Sequence, residues 1–525
     1  MSQQRYIKVL LPLKLDWEPV YALPEGISIA VGAFIEVDFA HKKYLGVVTA
    51  VDVVPEPGVD VKMIETPERV GGDGASLPTV FGNLSPLQLE FWHQLSTYYL
   101  CTPGEVFKAA TQQSKKSIKK SRKKQALPTS PGLSSPSSPG LSRGSHELEL
   151  IHSAFSKGKT VLLQGQNCDI IYRQLEQETI AEGKSVLHLV PSKKRLILEP
   201  VQNLGLVIVE DEHDASYKQD SPAPRFNARE AAIMLARLHG ANVLLTSPTP
   251  SLESLHNAEI GLFEKVQLKE SLKPDITLIN TSAETRKKGM SGDFSFKLLE
   301  VMNPVLEAGK KVLLVCRSKQ AIPEIIPEGA VPATPLTVRT LNLTGFSLIV
   351  VLHGESLLGK EDFRSDERAL QFLQHLASKA PLVIQSRETK HPVFKALKDG
   401  LDSNCFLDER RLANLPPFTR LVNIVIRDHS EKRINYLSNL LVSMRCPDGA
   451  GHDGAVTPDL FGSLQILGPY TPSYQQEGEY IRIIRITLPK DKSLKPRKEA
   501  IYQAIKTFEK QYKYTGHIVI DVDPV

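Results

Sequence analysis

Residues 204–230 read LGLVIVEDEHDASYKQDSPAPRFNARE. LGLVIV is an apolar strand candidate that ends in a run of acids, and AREAAIMLARLHG behind it is a helix candidate. Working outward, TVLLQG (160–165) is a buried-strand candidate, IIYRQLEQETIAEG a helix and SVLHLVP a second strand. ANVLLTSPTP supplies a fourth strand. Strand–helix alternation predicts a parallel sheet with helices on its faces. Residues 297–400 repeat the rhythm: helix KLLEVMNPVLEAG, strands KKVLLVC and FSLIVVLHG, helix RALQFLQHLASK, strand PLVIQS. Two α/β lobes in tandem imply a cleft.

The flanks differ. IKVLLPL, AFIEVDF and YLGVVTAVDVV near the start predict a small β domain. LSPLQLEFWHQLSTYYL (84–100) follows as a helix, with Ser85 as N-cap and Pro86 at the first helical position. Residues 114–124, SKKSIKKSRKK, carry six Lys and one Arg, and a Ser/Pro/Gly-rich stretch runs to 145. Such a segment buries too little apolar surface to fold, so 112–147 is expected to be a basic linker. It serves either as a solubilising spacer or, through Lys115, Lys116, Lys119, Lys120 and Arg122, as a phosphate-backbone contact. Beyond about 413, strands LVNIVIRD, YIRIIRITL and HIVIDVD with two helical stretches predict an α+β domain.

Composition bounds the function. The chain has 525 residues, 41% hydrophobic and 23% charged. That suggests three to four domains and excludes a wholly disordered, collagen-like or disulfide-stapled protein. No apolar run is long enough to span a membrane, and no secretion leader is read at the start. The five cysteines, Cys101, Cys168, Cys316, Cys405 and Cys446, show no C-x-x-C pair. They are expected to be reduced thiols in a cytoplasmic protein without a local zinc ribbon.

Several stretches, in order, resemble the bacterial primosomal protein N′ (PriA) family. LGLVIVEDEHDASYKQDSPAPRFNARE is similar to its second helicase motif and the aromatic-rich loop after it, and LLTSPTPSLES (244–254) to its third motif. STYYLCTPGEVFKAA (96–110), DFRSDERALQFL (362–373), NLPPFTRLVNI (414–424), ILGPYTPSY (466–474) and the ending IVIDVDPV (518–525) also match. The resemblance implies two helicase-like (RecA-type) parallel-sheet lobes, 148–265 and 266–412. An N-terminal 3′-end-binding-like domain, 1–111, and a C-terminal domain, 413–525, would flank them. It also implies a protein of replication restart that recognises stalled forks and uses ATP, Mg²⁺ and structural Zn²⁺.

The departures point away from the motor. The family's phosphate loop needs a second glycine, a lysine and a hydroxyl residue. After Gly165 the chain reads Gln166-Asn167-Cys168-Asp169 and lacks all three, so Gly165 is a remnant. Gly158-Lys159-Thr160 spells part of such a loop but precedes the strand. The acidic motif, Asp-Glu-Glu-His in the family, reads Glu210-Asp211-Glu212-His213. Each swap displaces a carboxylate by about one methylene, and a misplacement of about 1 Å costs about 100-fold in rate. The four residues are a degenerate catalytic candidate; the alternative is a solvated acidic strand end. The arginine-rich sixth motif, the cysteine-rich zinc insertion and the winged-helix segment are missing from their expected places. No cofactor is therefore expected, and neither ATPase nor helicase activity.

What remains is DNA contact. The family's 3′-end pocket would fall on Pro19-Val20-Tyr21, where only Tyr21 survives, with Asp16 and Trp17 upstream as substitutes. Phe39-Ala40 is followed by His41, Lys42, Lys43 and Tyr44, either a phosphate and base contact or a polar hairpin. Lys218, Arg225 and Arg229 interleave with Tyr217 and Phe226 as a nucleic-acid loop or as packing. Arg364 and Arg368 would share a helix face, with local acids as competing partners. A basic cluster runs from Arg482 and Arg485 to Lys498, resting mainly on the loop from Lys490. Expected partners are forked or single-stranded DNA and replication-restart and replisome proteins, with no membrane. The alternatives are a residually active DNA helicase and a non-enzymatic protein–protein adaptor.

Overall fold

Apolar residues at alternate positions make β1 (Tyr6–Leu10), β2 (Val20–Ala22), β3 (Phe34–Phe39) and β4 (Lys42–Val51). They pair antiparallel in the order β2-β1-β4-β3. One face buries Ile7, Val9, Leu11, Ile35, Val37 and Val48. The computed structural model describes residues 4–58, 61–64, 83–111, 145–268, 275–282, 289–359, 362–399, 404–443, 464–472, 478–512 and 517–524.

The helix Pro86–Tyr99 starts as its residues dictate: the Ser85 hydroxyl accepts from the Gln88 N–H, and Pro86 opens the first turn. It ends at Leu100 in the left-handed region, φ 53°. Trp92 stacks on Phe107 of the helical stretch 103–111, with ring centroids 5.6 Å apart. Gly104 lets that stretch approach the first strand's exit, because a Cβ there would lie 2.1 Å from the Leu13 carbonyl oxygen.

The next sheet contains β5 (Thr160–Gln164), β6 (Ser185–Leu189), β7 (Leu204–Val209), β8 (Asn242–Ser247) and β9 (Phe263–Gln267), in the order β6-β7-β8-β5-β9. β6, β7 and β8 run parallel. Leu206 to Val209 are fully enclosed, as a parallel strand covered on both faces requires. The helix Ala228–His239 is capped by Asn227, whose side chain accepts from the Arg229 N–H, and stops at Gly240, φ 63°.

β10 (Ile276–Asn280), β13 (Val312–Val315), β14 (Ala330–Ala333), β15 (Leu348–Val351) and β16 (Leu382–Ser386) form a wholly parallel sheet, β10-β16-β15-β13-β14. A short ribbon, β11 (Met290–Ser291) with β12 (Phe294–Ser295), leads into the helix Phe296–Glu307. Its core joins Leu298 and Met302 to Val312, Leu314 and Val350.

The last sheet is antiparallel: β17 (Thr419–Asp428), β18 (Gln465–Tyr470), β19 (Tyr480–Pro489) and β20 (His517–Val522), ordered β18-β19-β17-β20. β18 is an edge strand that strand patterning did not predict. The chain divides into two compact units. One comprises Met1–Val161, Asp169–Leu245 and Arg410–Val525; the other comprises Leu162–Cys168 and Thr246–Glu409. The architecture is the expected mixed α/β one: parallel sheets, an antiparallel N-terminal β domain and an α+β C-terminal domain. Among the described residues no helix is long and apolar enough to cross a membrane.

Candidate functional site

The β3–β4 hairpin presents exposed lysines beside an aromatic pair. Phe39 pairs with Lys42, so Ala40 and His41 form a two-residue turn, both at positive φ (50° and 62°). Lys42 and Lys43 are exposed on it, while Tyr44 is half-buried against the sheet's core. Trp17 is 59% exposed and lies 6.0 Å from the Phe39 ring. Lys43 stands 3.4 Å from Glu36, and Lys62, missed in the sequence, 3.7 Å from Asp38. These pairs are open to solvent and hold their lysines weakly. Tyr21 is a correction. Its ring is in the core and its hydroxyl donates to the Asp38 carbonyl at 3.1 Å, so no ring face is left for a base. Burial, then the Asp38 charge, pushes its hydroxyl up to about 12.

The acidic motif is engaged inside its own unit. Glu210 lies 3.3 Å from His188 Nε2, whose Nδ1 is 2.8 Å from Glu176. Asp211 turns the chain at φ 49°. Glu212 has a fully enclosed side chain and accepts from the Arg229 guanidinium at 2.6 Å. Arg229 also donates to Glu230 at 2.8 Å. His213 is half-buried and has a partner.

The basic–aromatic loop that follows is packed rather than displayed, which corrects the expectation for Lys218, Arg225 and Arg229. Lys218 is buried. Its ammonium donates to the Arg225 carbonyl at 2.7 Å and the Val522 carbonyl at 2.6 Å, and pairs with Asp521 at 2.8 Å. Two of its N–H groups thus have carbonyl acceptors, and the Asp521 carboxylate offsets its charge. Arg225 lies 3.6 Å from the other Asp521 oxygen. Tyr217 and Phe226 are fully enclosed. The reason is that an ammonium or guanidinium among buried groups is held only where carboxylates and carbonyls meet it.

Beside this loop the motif segments converge. Asp523 accepts from the Tyr98 hydroxyl at 2.8 Å and from Arg420 at 3.0 Å. Lys498 donates to the Tyr98 carbonyl and sits 3.8 Å over the Tyr98 ring. The Asn227 N–H donates to the Tyr99 hydroxyl at 2.9 Å. Burial alone would raise Asp523, but Arg420, Lys498 and Lys218 outweigh it and hold the carboxyl below its usual range. Burial drives Lys498 down to about 8 against the pull of Asp523. Lys498 therefore drops out of the expected basic face. So does Arg482, which donates to Asn435 at 2.8 Å. Lys492 and Lys495 stay exposed.

At the remnant phosphate loop, Gly165 donates to the Ser247 carbonyl at 3.1 Å, and the Cys168 thiol to the Gly165 carbonyl at 3.3 Å. A Cβ on Gly165 would lie 2.6 Å from the Leu268 Cβ, so an apolar side chain packs on the glycine that a phosphate would need bare. Asp169 occupies the first turn of the following helix, where its charge opposes a phosphate at the helix N-terminus. These residues do not fit a nucleoside triphosphate.

Arg364 and Arg368 are also corrected as DNA contacts. Arg364 donates to Glu253 at 2.5 Å and stacks on Phe363, with only 14% of its side chain exposed. Arg368 donates to Asp362 at 2.8 Å and remains partly exposed. Lys115, Lys116, Lys119, Lys120 and Arg122 lie outside the described residues.

Residues 8–112 match a family model described as the 3′ DNA-binding domain of PriA. The replication restart protein PriA of Rickettsia felis is 28% identical over 358 residues, covering 59% of this chain and 53% of that protein. That of Bacillus subtilis is 35% identical over 132 residues, covering 24% of this chain and 16% of that protein. The chain spans about half the length of the Rickettsia relatives it matches. Among solved structures, a DEAD box protein from Methanococcus jannaschii aligns at 10% identity with a TM-score of 0.24, covering 48% of this chain and 89% of that one, which carries no argument. The likeness to PriA read from the collinear motifs is borne out.

Proposed function

We propose that this chain is a DNA-binding protein of replication restart. It recognises forked or single-stranded DNA and recruits replication-restart and replisome proteins in the cytoplasm. The observation that carries the reading is the 3′ DNA-binding domain match over residues 8–112. Within that span an exposed Trp17, set against the half-buried Phe39, shares the hairpin's surroundings with the exposed Lys42 and Lys43. Unpaired bases stack on aromatic faces at ~1–3 kcal/mol each, and lysines gain affinity by releasing counterions from phosphates.

The helicase-like part acts as scaffold and turns over no ATP. Leu268 packed on Gly165, Asp169 at the helix start and Glu212 tied to Arg229 all favour this over a residual motor. Phosphoryl transfer needs a phosphate cradle, a metal-holding acid and a positioned nucleophile together. The test is fluorescence anisotropy on a fork with a recessed 3′ end and on plain duplex, across a salt titration, with phosphate release measured in parallel. Fork preference without phosphate release supports the reading. Equal binding to both substrates refutes fork recognition, and DNA-stimulated phosphate release refutes the scaffold.

A further inference from the structure

Inside the second compact unit, the helix Ser365–Ala377 meets the loop that joins β8 to the helix Leu252–Glu259. Glu367, Gln371 and Gln374 stand at i, i+4 and i+7, so they share one face of the first helix. The buried Glu367 carboxylate accepts from the Leu252 N–H at 2.8 Å. The Gln371 amide nitrogen lies 3.4 Å from the same Glu367 oxygen and 3.5 Å from the Thr249 carbonyl. At this joint is a cavity of about 10 Å³, lined by Thr249, Leu252 and Phe406 together with the three helix residues.

Two polar atoms of its lining residues meet no hydrogen-bonding group of the chain: the Thr249 hydroxyl and the Gln374 side-chain carbonyl oxygen. Thr249 is only 5% exposed, and both atoms are shut off from bulk solvent. Buried polar atoms of native proteins are bonded to protein or to ordered water, because an unmade bond forfeits their hydration. The size of the cavity selects the occupant: about 10–15 Å³ holds a single water and nothing larger. The chemistry agrees, since a threonine hydroxyl donates, an amide carbonyl accepts, and one water does both. We propose that one internal water molecule binds here, accepting from the Thr249 hydroxyl and donating to Gln374. It fastens the TSPTPS loop (246–251) to the helix at a second point, about two turns along from the Glu367–Leu252 bond. The inference draws nothing from the DNA-binding reading and stands or falls apart from it.

The test uses the full chain without DNA. Magnetic relaxation dispersion of the water signal counts long-lived internal waters in the unmodified chain and in the double variant Thr249→Val with Gln374→Met, whose apolar side chains are close in shape to the originals. The double variant is expected to lose one such water. Hydrogen exchange of the Leu252–Glu259 segment then reads the coupling. Each single variant strands one partner and should speed exchange by about fivefold or more, whereas the double variant should exchange no faster than either single one. An unchanged water count, or single effects that simply multiply in the double variant, overturns the proposal. Should the variants fail to fold, a high-resolution crystal structure of the unmodified chain decides. A density peak at about 2.5–3.2 Å from both Thr249 Oγ1 and Gln374 Oε1 supports the water, and a dry cavity overturns it. Melting that differs between equal concentrations of NaCl and KCl, and loses that difference in Thr249→Val, reassigns the cavity to a metal cation and overturns the water.

Discussion

Replacing Asp523 with Asn removes the carboxylate to which both Arg420 and Tyr98 donate. Asp523 is half-buried, with 14% of its side chain exposed, and Arg420, Lys498 and Lys218 together outweigh the burial that would raise its carboxyl. Removing one partner of a buried ion pair costs about 3–5 kcal/mol, because the other charge is left uncompensated. Arg420 and Lys498 would both be left so. For a unit of this size, m in guanidinium is on the order of 6 kcal/mol/M, so the midpoint should fall by about 0.5–0.8 M. Trp92, buried in the same unit, reports the transition by fluorescence. A triple variant, Asp523→Leu with Arg420→Met and Lys498→Met, should recover most of the loss, since apolar groups can replace a buried charge cluster at little cost. The sign with pH follows from the lowered Asp523 carboxyl: its contribution is present above the unfolded value near pH 4 and is lost as pH falls through the folded value. A midpoint change under about 0.2 M, or a triple variant no better than the single one, would refute the idea that this cluster holds the three segments together.

Lys498, at about 8 when folded and about 10.4 unfolded, binds fewer protons in the folded state between those values. Stability should therefore rise by roughly 1–3 kcal/mol from pH 8 to 10, and Lys498→Met should flatten that rise in pH-stepped denaturation. Arg229→Met should cost about 3–5 kcal/mol in unfolding experiments through the buried Glu212. It should leave DNA affinity unchanged at equal folded fraction; a stable variant with weaker DNA binding would return Arg229 to the DNA face. Lys42→Ala with Lys43→Ala should shallow the slope of log affinity against log salt by about 1.4 on single strands, and Trp17→Ala should weaken single-strand binding by ~1–3 kcal/mol in anisotropy titrations. Mg·ATP at millimolar concentration should not shift the melting temperature; a shift of several degrees would mean that a nucleotide binds in the folded state.

The sequence by itself determined the enclosed strands and the helices between them, though not edge strands such as β9, β10, β14 and β18. Enclosed strands such as LGLVIV and LIVV, and capped helices behind Ser85 and Asn227, are local signals, because burial on two faces and capping each leave a pattern a few residues long. It also determined that the phosphate loop is altered, since that chemistry depends on residue type at fixed spacing. What only the tertiary structure decided is where each cation goes. Lys218 and Lys42 are both lysines beside aromatic residues, yet one is enclosed by Asp521 and two carbonyls and the other stands on an exposed hairpin. Two of the partners of Lys218, Val522 and Asp521, lie about 300 residues away in the chain, as Glu253 lies far from Arg364 and Asp523 from Tyr98. Ion pairing depends on distance in space and on desolvation, neither of which a one-dimensional spacing encodes. Stretches that look like separate family motifs in the sequence, STYYL, SYKQD, PPFTRLV and IVIDVD, prove in space to be the walls of one charged cluster.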